Sequence, residues 1–172
     1  MTFEVRQARP EEYEAAGRVT AEAYREFVEP ESDSWPTYLA RIADIGERAS
    51  RTTILVALEN GRILGSLTLE LEGRVADWDD DPPLRPGEAH IRMLGVDPAA
   101  RTRGVGASLM REAEARAHAA GKTYLTLHTT ERMVAAQKMY ASLGYERSPD
   151  HVFPDGFVLL GYRKELDATA SS

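Results

Sequence analysis

The most constraining stretch of this sequence is Leu94-Gly95-Val96-Asp97-Pro98-Ala99-Ala100-Arg101-Thr102-Arg103-Gly104-Val105-Gly106-Ala107. It reads as the end of a strand, a turn stopped by Pro98, a short basic loop with two glycines, and a helix from Val105 to Ala120. Val105, Leu109, Ala113, Ala117 and Ala120 form an apolar or small stripe along that helix, and Gly121 ends it. A helix start leaves several backbone N–H groups without intrahelical acceptors, and the aligned peptide dipoles add partial positive charge there. An anion at such a point gains ~0.3–1 kcal/mol at the surface and up to ~2 kcal/mol when partly buried. Gly104 and Gly106 carry no Cβ, so a diphosphate can lie directly on the backbone of Thr102 to Ala107. Arg101 and Arg103 add forked donors for phosphate oxygens. The stretch therefore predicts a phosphate cradle. It is neither a P-loop nor a dinucleotide fingerprint, because the glycine spacing of both is missing.

At 172 residues the chain suits one domain, expected over residues 1–166, with residues 167–172 as a frayed tail. Apolar residues make up 42% and charged residues 28%, the balance of a globular chain rather than a disordered one. The net charge of −7 argues against nucleic-acid binding and favours cationic small molecules or basic protein tails as partners. With no cysteine, the chain can form neither disulfides nor thiolate metal sites, and it has no cysteine nucleophile. The start, Met1-Thr2-Phe3-Glu4-Val5-Arg6, lacks a signal-peptide pattern, and no apolar run reaches transmembrane length. A cytoplasmic protein without membrane contact is the expectation.

Along the chain, alternation predicts a strand at Phe3–Ala8, and Pro10 with Glu11 and Glu12 opens a helix that Pro30 stops. A second helix is expected over Trp35–Ala49. Thr53–Glu59, Asn60-Gly61 and Arg62–Leu71 form a hairpin signal, since Asn-Gly supplies the positive φ values a tight turn needs. A long polar loop, Glu72–Gly87, leads to the strand Glu88–Val96 that feeds the cradle. After the long helix come a strand at Tyr124–Thr129, a helix at Arg132–Leu143 ended by Gly144, a strand starting at Tyr145 and a last strand at Phe157–Lys164. This order predicts an α/β chain with a mixed sheet and helices on its faces.

With its flanks included, Arg92-Met93-Leu94-Gly95-Val96-Asp97-Pro98 through Arg101-x-x-Gly104-x-Gly106 resembles the acetyl-CoA-binding core of the GNAT N-acetyltransferase superfamily. The element order matches that layout over nearly the whole chain, with motif-level likeness over Glu88 to Tyr145. The resemblance implies a central, mostly antiparallel sheet flanked by helices, with acetyl-CoA as co-substrate and no metal. It also implies that backbone groups of Leu94, Gly95 and Val96 hold the pantetheine arm, which requires their strand to part from the Tyr124 strand. The family pattern Asn-x-x-Ala-x-x-Leu-Tyr appears here as Met133-x-x-Ala136-x-x-Met139-Tyr140, so Tyr140 is implied as the acid near the sulfur, and the asparagine is lost to Met133.

Acetyl transfer needs a held thioester, a neutral amine and a protonated leaving thiolate. Strand alternation puts Glu88, His90 and Arg92 on one side, and either Glu88 or His90 suits the base. The resemblance implies His90, where the family often has glutamate. His128 is expected beside His90 if their strands pair, whereas His118 and His151 are expected to be bland. Carboxylates at Asp77, Asp79, Asp80 and Asp81 with Trp78, and at Glu29, Glu31 and Asp33 with Trp35, are candidates for two lips of a site for a cationic amine. The function predicted is acetyl transfer from acetyl-CoA to a primary amine of a small, cationic molecule, by direct attack in a ternary complex. Alternatives are an acetyltransferase for protein N-termini or lysines, and a non-catalytic acyl-CoA-binding module. A homodimer is a further expectation, with the Phe157 strand pairing across it.

Overall fold

The computed structural model describes residues 2–27, 35–72, 83–152, 156 and 158–166. Seven strands form one sheet: β1 (Glu4–Gln7), β2 (Thr53–Glu59), β3 (Arg62–Glu70), β4 (Glu88–Val96), β5 (Tyr124–Thr129), β6 (Glu146–Val152) and β7 (Val158–Glu165). Their order is β1-β2-β3-β4-β5-β7-β6. Every neighbouring pair is antiparallel except β4 with β5. The parallel pair follows from the connection, because the long helix α4 (Val105–Ala119) carries the chain back to the start of the sheet between those strands. Asn60 and Gly61 turn the β2–β3 hairpin with φ of 51° and 80°.

Two cores lie on opposite faces of the sheet. On one, Leu55, Leu67, Leu69, Ala89, Ile91, Leu125 and Leu127 meet Leu109, Met110 and Ala113 of α4 and Tyr140 of α5 (Val134–Ser142). On the other, Ile54, Val56, Leu58 and Ile63 meet Ala16 of α1 (Tyr13–Arg25) and Ile45 of α3 (Ile45–Arg48). Close packing seats α1. A Cβ on Gly17 would lie 2.0 Å from the Ala43 carbonyl oxygen of α2 (Trp35–Ala43), and one on Gly95 would lie 3.0 Å from Thr20 Cα.

Three local expectations change. The helix expected over Trp35–Ala49 breaks at Asp44, whose φ of −86° and ψ of 66° interrupt it and whose side chain accepts from the Glu47 N–H to start α3. Buried Arg48 braces that break, donating to the carbonyls of Arg41, Ile42 and Asp44 and to Thr68 Oγ1 on β3. The helix expected from Arg132 begins at Val134, with Met133 as its N-cap. The last strand, β7, is flanked by β5 and β6, so its hydrogen-bonding edges are taken and it cannot pair across a dimer. Both acidic stretches proposed as site lips lie outside the described residues, apart from Trp35, which packs edge-on against Tyr38 at 5.5 Å.

Candidate active site

β4 has two unlike halves. Glu88–Ile91 pairs in parallel with Tyr124–Leu127 of β5. Beyond Ile91 no β5 partner is found among the described residues, and Met93 takes a φ of 54° where the β3–β4 register shifts. A bulge of this kind bends the strand and re-aims its backbone. Leu94, Gly95 and Val96 therefore present main-chain groups toward the gap left by β5, the parting that an extended carrier arm needs.

The loop after β4 leads into the start of α4. Asp97 accepts from the Ala99 N–H at 3.0 Å and from Arg62 at 2.8 Å, which fixes the turn at Pro98. Thr102 and Gly104 have φ of 70° and 81°, and Gly104 is the N-cap of α4. For a β-branched residue such as Thr102 this conformation costs about 1–3 kcal/mol, the kind of strain that gathers at ligand sites. A Cβ added at Gly104 would meet nothing within 4 Å, so the amides opening α4 are approachable. One added at Gly106 would lie 3.1 Å from Met139 Sδ and 3.7 Å from Val96 Cγ2. Gly106 thus lets α4, α5 and the open half of β4 meet, and Val105 is buried beneath them. Ala107 follows in the first helical turn.

The two arginines of the loop, expected to serve the cradle, are each paired with a carboxylate of another element. Arg101 pairs with Glu26 at the end of α1, and Arg103 pairs with Glu59 at 2.6 Å, holding that carboxyl below its ordinary range. A phosphate at the cradle would compete with those carboxylates for the guanidinium groups.

Tyr140 lies on α5, buried, with its ring 6.0 Å from that of Tyr145 and 5.7 Å from that of Tyr162. Burial, with Tyr162 nearby, raises the pKa of its hydroxyl, so it stays protonated and available as a donor. Met133, which stands in place of the family asparagine, makes no side-chain cap; its sulfur accepts from Thr129 Oγ1 at 3.4 Å. Gln137 ties the same loop instead, donating to the carbonyls of Thr130 and Glu131.

On the sheet face away from α4, the paired half of β4 carries the titratable groups. His90 Nδ1 is 2.7 Å from Thr126 Oγ1, and Thr126 Oγ1 donates to Glu88 Oε2 at 2.6 Å. Glu88 Oε1 accepts from the Arg85 N–H at 2.9 Å, so both of its oxygens are engaged. The His90 and His128 rings lie 5.4 Å apart. Burial, then Arg92 and His128, holds the His90 imidazole well below its ordinary pKa, so it is neutral at neutral pH. Glu70, across from His90 on β3, is buried and paired with Arg92 at 2.7 Å. Among the described residues no group of three or more His, Asp or Glu could hold a metal ion.

The structure thus brings Glu88 and His90 together as strand alternation predicts, and joins them through Thr126, which sequence reasoning missed. Glu70, Thr68 and Arg48 were missed as well. The available signal was period two: polar residues at 68 and 70, within a strand buried along nearly its whole length, face the same side as His90.

The model of the acetyltransferase (GNAT) family matches residues 18–145. Among solved structures, a GNAT-family acetyltransferase from Staphylococcus aureus Mu50 is similar at 15% identity and a TM-score of 0.71, covering 96% of this chain and 100% of that one. The ribosomal-protein-S18-alanine N-acetyltransferase of Escherichia coli shares 16% identity with a TM-score of 0.68, over 96% and 95% of the two chains. The yncA protein of Salmonella typhimurium, solved with its cofactor acetyl-CoA, shares 17% identity with a TM-score of 0.64, over 98% and 96%. No curated protein sequence matches. The match spans most of the chain, including β4, the glycine loop, α4 and α5, and it settles the family: the chain belongs to the GNAT acetyltransferases and is an acetyl-CoA-dependent N-acetyltransferase.

Proposed function

We propose that this enzyme acetylates the primary amine of a small, cationic molecule by direct attack in a ternary complex. The observation that carries the reading is the face shared by the paired half of β4, β5 and the first two helices. It holds a neutral, buried histidine, the carboxylates of Glu70 and Glu88, and a run of aromatic edges. Trp35 meets Tyr38 at 5.5 Å, and Tyr38 meets Tyr24 at 6.4 Å. Aromatic ring faces attract an ammonium group, and the net charge of −7 draws cations toward the molecule.

Acetyl-CoA supplies the activated acetyl group; the rest is work for this chain's residues. The amides opening α4 at Gly104, Val105, Gly106 and Ala107 would hold the diphosphate, and the Leu94–Val96 backbone would hold the pantetheine arm and polarise the carbonyl. An amine of pKa near ~10 must lose a proton to attack, and His90, already neutral, would accept it directly or through water. Tyr140 would hand a proton to the departing sulfur. Both oxygens of Glu88 are bound, so it acts in this reading through its neighbours rather than as the base. The chain has no cysteine, so an acyl-cysteine intermediate is impossible, which supports direct transfer.

Likeness to the ribosomal-protein-S18-alanine N-acetyltransferase favours a second reading, a protein N-terminus as acceptor. A thiol-release assay with acetyl-CoA against polyamines, aminoglycosides, amino acids and peptides separates the two. Turnover on a small polycation but not on peptides is expected; turnover on peptides alone overturns the small-amine reading. No described helix is long and apolar enough to cross a membrane. We place the enzyme in the cytoplasm, where acetyl-CoA is made available, and treat residues 1–166 as one catalytic domain.

A further inference from the structure

The three residues Glu88, Thr126 and His90 form a hydrogen-bonded chain whose direction follows from the chemistry of its ends. A carboxylate only accepts hydrogen bonds. Glu88 Oε1 receives the Arg85 N–H at 2.9 Å, and Oε2 receives the Thr126 hydroxyl at 2.6 Å. The single hydroxyl proton of Thr126 is then spent on Glu88. At 2.7 Å from His90 Nδ1, Thr126 Oγ1 can therefore only accept, so Nδ1 must carry the ring's proton. In a neutral imidazole this leaves the lone pair on Nε2, the nitrogen turned away from Thr126.

We propose that Thr126 is a positioning residue that, anchored by Glu88, locks His90 in the tautomer protonated on Nδ1 and so keeps Nε2 ready to accept a proton. The inference rests on the reading of His90 as the base for its role in turnover, but the tautomer itself can be observed without turnover. The groups facing His90 are Glu70 across β3, Glu88 and Arg92 along β4, and Thr126 and His128 on β5. Among them, Thr126 sits at hydrogen-bond distance from a His90 ring nitrogen, 2.7 Å from Nδ1. The parallel pairing of β4 with β5 puts His90 opposite Thr126, so the lock is built into the register of the strands rather than into a loop.

The chain makes an unusual demand of Glu88→Gln. With the glutamine carbonyl kept on the Arg85 N–H, the amide NH2 faces Thr126. Thr126 then receives from the amide and gives its own proton to His90 Nδ1, which moves the ring proton to Nε2. A substitution of the same size and shape should thus reverse the tautomer.

The test is 15N NMR of histidine-labelled full-length protein at neutral pH, with the His90 signals assigned by their loss in His90→Asn. In the parent, Nδ1 should appear as the protonated nitrogen and Nε2 as the bare one. Glu88→Gln should exchange them, Thr126→Val should release the preference, and Thr126→Ser should restore the parent pattern. Turnover should fall about tenfold or more in Glu88→Gln and Thr126→Val, with an unchanged KM for acetyl-CoA, and should recover in Thr126→Ser. A parent spectrum with the proton on Nε2, or a Thr126→Val spectrum with the parent's preference intact, overturns the proposal. A tautomer that reverses as expected while turnover stays constant upholds the lock and removes His90 as the base. Should Thr126→Val fail to fold, the parent spectrum still decides the matter.

Discussion

The two halves of β4 do different work in different currencies. From Glu88 to Ile91 the strand pairs with β5, with His90 and Ile91 also paired to β3, and side chains are held at fixed distances across to β5. From Arg92 to Val96 it has lost β5, and its chemistry lies in the main chain. The Met93 bulge separates the two. Pairing serves the first half because a hydrogen-bonded histidine needs a partner in register; parting serves the second because a carrier arm can add only to an open edge. In the proposed mechanism, one strand thus carries both the proton acceptor and the edge that would hold the thioester.

The largest effect should come from Gly104, where the proposed cradle would meet the carrier's charge. Gly104→Asp puts a carboxylate where a diphosphate would lie, on a backbone with φ of 81°. Acetyl-CoA affinity should fall by about 100-fold or more, measured by calorimetry; each tenfold corresponds to about 1.4 kcal/mol. Gly104→Ala is the control, since open space surrounds its Cβ and only the left-handed conformation is strained, by about 1–2 kcal/mol. Its affinity should remain within about tenfold of the parent's. Equal losses for the two would mean that backbone strain, not charge, governs the cradle.

Next in size is Tyr140→Phe. If its hydroxyl serves the leaving sulfur, kcat should fall about 100-fold while KM for acetyl-CoA changes by less than about twofold. Unchanged kcat would leave Tyr140 as a member of the Tyr140–Tyr145–Tyr162 cluster and nothing more.

Gly95→Ala sharpens the contrast within the open half. Here the added Cβ meets Thr20 Cα at 3.0 Å and Ala23 Cβ at 3.2 Å, so α1 must shift. Overpacking of this kind costs about 1–3 kcal/mol, which thermal unfolding would read as a lower Tm. Gly95 is therefore a packing glycine as much as a backbone one, and an unchanged Tm would contradict that.

The smallest effect belongs to the paired half. His90 is held neutral by burial, so below about pH 6.5 the unfolded chain takes up a proton at this residue that the folded chain refuses. Stability contributed by this site is complete above about pH 6.5 and declines as pH falls, with a slope no steeper than about 1.4 kcal/mol per pH unit. His90→Asn should flatten that part of the curve, measured by urea unfolding at several pH values. A curve of unchanged slope would mean that His90 titrates alike in both states.

The backbone half was legible in the sequence, and the side-chain half mostly was not, for a physical reason. Glycine, proline and a basic loop announce local conformation, because the constraint and the residue that meets it are neighbours; Asp97, Pro98 and Gly104 behave as their types predict. Alternation also put Glu88 and His90 on one side. The partner that joins them, Thr126, is 36 residues from His90, and only the pairing register reveals it. The split of the second helix at Asp44 was hidden likewise, since a polar residue within an amphipathic run does not show that Arg48 will bond the carbonyls it frees. The dimer edge expected of the last strand failed because strand order is not written in strand composition: β7 lies inside the sheet and β6 at its edge.

Hydrogen exchange of the backbone amides with and without acetyl-CoA tests the central claim most directly. Exchange should slow at Leu94–Val96 and at Gly104–Ala107 together when acetyl-CoA is added, with little change at Glu88–Ile91. Binding that leaves those two segments exchanging at their free rates would contradict it.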